Sequence, residues 1–217
     1  MDENLKEESP GEEKAQGSAK GKRRQNSRRK ILDAAKQLFV EKGYHDTRPQ
    51  DISKLAGVGH GTFYLHFADK RECFGAFVEE AQASMMDYVA KWSAGASNME
   101  EYIRGVLKGV LMFSAEHQGV ITAAIADPNV IGKGGGQSDG PRQKTLIEMW
   151  ADEWAQGLSV ERDRGAIHSD YDIPTVSYAI QGFILFACRY QLEGKADSEE
   201  ILNSVSNFIV RALKVDD

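Results

Sequence analysis

The sequence predicts an all-α protein of about nine helices in two parts, and three observations carry that reading. Beyond residue 26 the apolar residues recur at helical spacing. No stretch alternates apolar and polar residues long enough to make a strand. Charge is split along the chain. Residues 20–71 hold thirteen Lys/Arg and five Asp/Glu, a net +8, whereas residues 1–19 come to −4 and residues 72–217 to −10. The overall charge of −6 therefore hides a basic module ahead of an acidic one, and only the first suits a polyanionic partner.

Composition excludes several classes. A chain of 217 residues, 41% hydrophobic and 28% charged, can bury a sizeable core. No apolar run approaches the roughly 18 residues of a membrane span, so no membrane partner is expected. The opening MDENLKEESPGEEKAQG is acidic and polar, unlike a secretory signal. Cys73 and Cys188 stand too far apart in sequence for a disulfide framework or a metal spacing. The expected address is the cytoplasm.

The helices follow in order. Residues 1–26 lack an apolar period and are expected to be disordered, turning basic at Lys20. The stretch KGKRRQNSRRK carries seven cations in eleven residues, as a solubilising tail would, or an arm that follows phosphates or enters a minor groove. Ser27 can cap a first helix, on which Ile31, Leu32, Ala35, Leu38 and Phe39 share one face until Gly43 ends it. Thr47 and Gln50 read as the two members of a capping box opening a short helix with Ile52, Leu55 and Ala56. Gly57 breaks it, Val58 turns inward, and a third helix runs from about His60 to His66.

Two short helices joined by a glycine turn make a helix-turn-helix. Ser53 is small where the helices must cross, Gly57 supplies the positive φ, and Val58 and Phe63 fill the space beneath. Other readings of AGVGHGTFYLHFADK (56–70) fail. The sixth position of a dinucleotide fingerprint is Thr62 and a helix precedes it; no Walker Lys-Thr pair follows; His60, His66 and Cys73 lack zinc-helix spacing. The segment ILDAAKQLFVEKGYHDT, the helix-turn-helix DISKLAGVGHGTFYLHFADK and the long helix after it resemble the DNA-binding domain of the tetracycline-repressor (TetR) family of bacterial regulators.

That resemblance implies a DNA-binding domain over 27–71 and a ligand-binding and dimerisation domain over 72–217. It makes Thr47, Tyr64, His66 and Lys70 phosphate contacts, with Arg48 placed to join them, and turns His60, Gly61 and Thr62 toward base edges. Gly59 stands where a capping serine is commoner, and Arg48-Pro49 where Thr-Val is commoner; both bear on which operator is read. For Tyr64 and His66, packing within the domain is the alternative.

The acidic part is helical throughout. Phe74, Phe77, Val78, Ala81, Met85, Tyr88, Val89 and Trp92 line one long helix; Ile103, Val106, Leu107, Val110 and Leu111 line another. VITAAIA is a short segment stopping at Pro128, IGKGGGQSDGP (131–141) reads as a flexible loop, and a tryptophan-bearing helix follows. Two last helices are expected from about Asp172 to Leu192 and from Ser198 to Lys214. The first is apolar on more than one face, and Gly182 permits close helix approach. Ile180, Phe183, Ala187, Val205, Phe208 and Ile209 are the expected homodimer interface, with burial under the chain's own loops as the alternative. The resemblance surrounds a ligand pocket with Tyr102, Met112, Phe113, His117, Ile121, Met149, Trp150, Trp154 and Tyr178. Their apolar character favours a hydrophobic effector over a sugar phosphate.

The reading is a dimeric repressor released from a palindromic operator by a small molecule, with no cofactor, metal or catalytic group. Its rivals are a ligand-sensing adaptor without operator binding and an all-α enzyme using His117 or His168 as base.

Overall fold

The computed structural model describes residues 10–125 and 146–214. Expectations for residues 1–9 and for the glycine-rich stretch 131–141 lie outside them. The described residues form nine helices and no strand, apart from one isolated bridge between Ile167 and Lys214. We number them α1 Pro10–Asp46, α2 Pro49–Leu55, α3 His60–Tyr64, α4 Lys70–Ser93, α5 Met99–Glu116, α6 Val120–Ile125, α7 Leu146–Asp163, α8 Ile173–Leu192 and α9 Ser198–Leu213. Two compact units divide between Cys73 and Phe74.

In the first unit, α1 begins at Pro10, so residues 10–26 are helical where disorder is expected. The segment is rich in Glu, Lys, Arg, Ala and Gln, all good helix formers. It has no apolar stripe, and its continuity with the buried face that starts at Ile31 is what carries it. Ser27 consequently lies inside the helix and caps nothing. Gly43, at φ 80°, interrupts the helical backbone at the expected place. The predicted face of Ile31, Leu32, Ala35, Leu38 and Phe39 is buried, and Ile52, Phe63 and Phe67 close onto the same core. Each such phenylalanine contributes roughly 1.5–3 kcal/mol of burial.

The α2–α3 turn has a definite bond pattern. Gly57 N–H donates to the Lys54 carbonyl (3.2 Å) and Val58 N–H to the Ser53 carbonyl (3.0 Å), while Gly57 sits at φ 65°. This is a Schellman ending, in which the residue after the cap must be left-handed. Ser53 is buried at the crossing and its hydroxyl donates back to the Pro49 carbonyl (2.8 Å).

The second unit is a helical bundle in which α7 packs on α8, and α5 on both α8 and α9. Asn98 caps α5 by accepting from Glu101 N–H (2.9 Å), and Asp197 caps α9 by accepting from the N–H groups of Glu199 and Glu200. Helix α5 crosses α4 closely at two glycines. A Cβ at Gly105 would lie 2.6 Å from the Trp92 carbonyl oxygen, and one at Gly109 would lie 2.7 Å from Val89 Cα. Gly182, expected to serve such an approach, meets nothing within 4 Å inside the chain.

Two glycine substitutions should therefore differ in sign. Gly109→Ala drives a methyl group into backbone and should cost about 1–3 kcal/mol. Gly157→Ala, in a helix interior with open space around it, should stabilise by about 0.5–1 kcal/mol through helix propensity. Urea melts of both variants check this; a stable Gly109→Ala would contradict the crossing.

Candidate DNA interface and ligand cavity

On α3 and its flanks, His60, Gly61, Tyr64 and Arg48 are exposed, and Thr62 is half-buried. The His60 ring stands edge-on to Tyr64 at 5.1 Å, so the two side chains form one surface. A Cβ at Gly61 would meet nothing within 4 Å. The end of α3 nearest His60 is accordingly thin, and a helix must be thin to enter a major groove deeply. Leu65 is 71% exposed next to Tyr64. It was missed because an apolar residue beside Phe63 and Phe67 reads as core.

Thr47 corrects the sequence reading. Its side chain is wholly buried, with the hydroxyl on the carbonyls of Gly43 (2.7 Å) and Leu38 (3.2 Å). It neither caps α2 nor presents a side chain to phosphate. Arg48 is the N-cap residue without a side-chain cap bond, and Pro49 occupies the first helical turn, where its missing N–H costs nothing. A box of this kind opens α4, two helices later: Asp69 accepts from Glu72 N–H (2.8 Å), and Glu72 accepts from Ala68 N–H (2.5 Å).

His66 and Lys70 are positioned by the fold. The Ser27 hydroxyl donates to the Arg24 carbonyl (2.9 Å) and lies 2.7 Å from His66 Nε2. Its one proton being used, the bond requires His66 to donate from Nε2. Desolvation, helped by Arg24 and Arg28, lowers the imidazole pKa and favours this neutral ring. Lys70 Nζ donates to the carbonyls of Tyr44 (2.7 Å) and His45 (3.2 Å) and sits over the Tyr44 ring at 4.3 Å. Burial lowers its pKa, with Arg48 adding to the effect and Asp46 opposing it. The two residues thus hold the end of α3 and the start of α4 against α1, and Arg28 covers the Phe67 ring at 5.1 Å.

Within the second unit, residues of α4 to α8 line a partly open cavity. Of the expected ligand residues it brings together Tyr102, Ile121, Trp150 and Trp154. Phe113 lines a smaller recess that shares Met85, Ile121 and Trp150 with it. Met112, His117, Met149 and Tyr178 do not line it. His117 instead packs against Phe113 at 4.7 Å and Tyr88 at 5.9 Å, while Met149 and Tyr178 are exposed. Missed were the α4 wall (Met85, Met86, Val89), Glu153, and Gln181, whose amide is buried on α8. A lone glutamine inside the apolar run of α8, at the spacing of Ser177 and Ile184, was the available signal.

The expected interface residues divide. Ile180, Ala187 and Ile209 are buried in the chain's own core, while Val205 is half-buried. Phe183 and Phe208 are exposed and meet edge-to-face at 5.1 Å, joined in exposure by Tyr178, Phe186 and Tyr190 on α8. The period picked out the helices, but the outer face is one step round from the one chosen.

Among the described residues no group of His, Cys, Asp and Glu is arranged to hold a metal ion, and no helix is long and apolar enough to cross a membrane. Burial pushes the thiols of Cys73 and Cys188 up to about 12, which makes them inert packing groups.

Comparison with known proteins agrees with this geometry. Residues 31–77 match the family described as bacterial regulatory proteins, tetR family. The HTH-type transcriptional repressor AcnR of Corynebacterium glutamicum is 31% identical over 90 residues, 42% of this chain and 45% of AcnR. The chain thus spans about half the length of such curated relatives. YdgC, an HTH-type transcriptional regulator of Bacillus subtilis, is 24% identical over 85% of this chain and 91% of its own. A tetR family regulator from Shewanella sp. PV-4 shares the fold at a TM-score of 0.70 and 18% identity, over 88% of this chain and 99% of that one. Residues 31–77 are thus similar to the DNA-binding segment of tetR family regulators, and the described residues share the fold of one such regulator.

Proposed function

We propose that the protein is a cytoplasmic, dimeric operator-binding repressor whose grip on DNA is relieved by a small molecule held in the second unit. The observation that supports it most is the α2–α3 pair itself, with His60, Gly61 and Tyr64 outward on a module of net positive charge. In this reading Arg48 and the outer face of Tyr64 take phosphates, and His60 and Thr62 meet base edges. Lys70 brings its remaining donor to the same backbone. Phe183, Phe186 and Phe208 pack on their counterparts in a second copy, which sets the two α3 helices about 34–36 Å apart for successive major grooves.

Release follows from α4, which starts at Lys70 and goes on to supply Met85, Met86 and Val89 to the cavity. A ligand that shifts this helix alters the spacing between the two recognition helices. By linkage, effector and operator then weaken each other equally, typically by about 1–3 kcal/mol. Nothing here needs covalent chemistry. Of the two histidines considered as bases, His117 is packed among rings and His168 stands beside Tyr171 at 5.3 Å.

Selection from a random DNA pool at about 0.15 M salt should return a palindrome; recovery of no motif would overturn the proposal. On the selected site, Arg48→Ala should weaken binding evenly across sequences and reduce the salt slope by about 1. His60→Ala should instead lose about 1–3 kcal/mol of discrimination at one base pair. Fluorescence anisotropy across a salt series separates the two, and equal behaviour of both variants would contradict the assignment. Phe183→Glu combined with Phe208→Glu should leave helicity intact, yield a monomer in sedimentation, and weaken operator binding by about tenfold or more, some 1.4 kcal/mol. A persistent dimer would place the interface elsewhere.

A further inference from the structure

The cavity is chemically uneven, and the unevenness bears on what it takes. Its floor is apolar, formed by Met85, Val106, Val110 and Ile184. Into that floor comes one buried donor without an acceptor: Trp150 is 6% exposed, and its Nε1–H has no hydrogen-bond partner. An orphaned buried N–H is unfavourable and is relieved by any acceptor that a guest brings. The buried amide of Gln181 lines the same space.

The mouth differs. Tyr102, Glu153 and Trp154 belong both to the cavity and to an outer groove. The Tyr102 and Trp154 rings stand edge-to-face at 6.1 Å. Glu153 is exposed on the rim that the two spaces share, without a hydrogen bond or ion pair from a described residue. Glu153 is the one ionisable acid among the described residues of the cavity, and no lysine, arginine or histidine accompanies it there. The groove adds Glu161 and Arg164, which pair with each other at 2.9 Å and cancel. Desolvation alone raises the Glu153 pKa, as for a carboxyl that lacks a compensating cation, and Glu153 in turn raises that of Tyr102.

An unpaired carboxylate beside two aromatic rings is an arrangement that draws positive charge, by Coulomb attraction and by the ring quadrupoles together. It repels carboxylates and phosphates. We infer that the effector is a lipophilic organic cation, an amine or onium group held at Glu153, Tyr102 and Trp154, with an apolar body in the cavity and an acceptor reaching Trp150. This rests on the proposed ligand-relieved function, and it narrows the effector from any hydrophobic molecule to one charge class.

Tetraphenylphosphonium and tetraphenylborate, nearly equal in size and opposite in charge, test it by calorimetry and indole fluorescence on the free protein. The phosphonium should bind about tenfold or more tightly than the borate. Glu153→Gln should bring the ratio close to one. Equal or tighter binding of the borate, binding of neither ion, or a preference that survives Glu153→Gln would each overturn the inference. Operator binding is measured separately by anisotropy, so a protein that binds its palindrome but not the phosphonium sinks the inference and leaves the regulator standing.

Discussion

Helix α5 can lie on α4 only because positions 105 and 109 carry no side chain. With Cβ atoms there, the backbone of Trp92, Ser93 and Val89 would be met at 2.6–2.8 Å, so the helix axes would have to part. The cavity depends on that contact, since α4 supplies Met85, Met86 and Val89 to its wall and α5 supplies Tyr102, Val106 and Val110. The crossing also holds aromatic and cationic groups in place around it: Lys108 Nζ lies 4.0 Å from the Trp92 ring centre, and the Tyr88 hydroxyl is bonded to Glu116. A close crossing of two helices thus fixes where a ligand can sit.

The first unit solves a different problem, that of presenting a thin helix rigidly. Helix α3 has five residues, too few to be stable alone. It stands because Phe63 and Phe67 are buried beneath it, because the Gly57 turn ties it to α2, and because His66 is tied to Ser27 on α1. Residues that the resemblance makes phosphate contacts are partly scaffolding here. Thr47 is wholly so, and His66 and Lys70 each hold one part of the domain to another. The exposed chemistry is left to Arg48, His60, Tyr64 and Leu65.

Much of this was legible in the sequence because it rests on local rules. Helical period, the Gly57 turn and the buried face of α1 follow from spacing and backbone sterics. So does the burial of Phe63. What failed needed three-dimensional context. A threonine before Arg48-Pro49 caps a helix in sequence terms, yet the bend at Gly43 turns its hydroxyl onto two carbonyls of α1. Periodicity showed that α8 and α9 are apolar on two sides, but it could not say which side meets the chain's own core. Ile180 and Ile209 went inward and Phe183 and Phe208 outward. In the cavity, a charged residue beside tryptophans reads as a solvated face; Glu153 is indeed exposed, and that it borders the cavity only emerges once α7 is seated on α8.

The central claim is that two copies of α3 enter successive major grooves on one face of the duplex. Hydroxyl-radical footprinting of the selected palindrome tests it most directly. The account predicts two protected patches one helical turn apart, related by the two-fold axis, and no paired protection from the Phe183→Glu, Phe208→Glu protein. A single continuous footprint that ignores the palindrome, or protection unchanged in that variant, would contradict it.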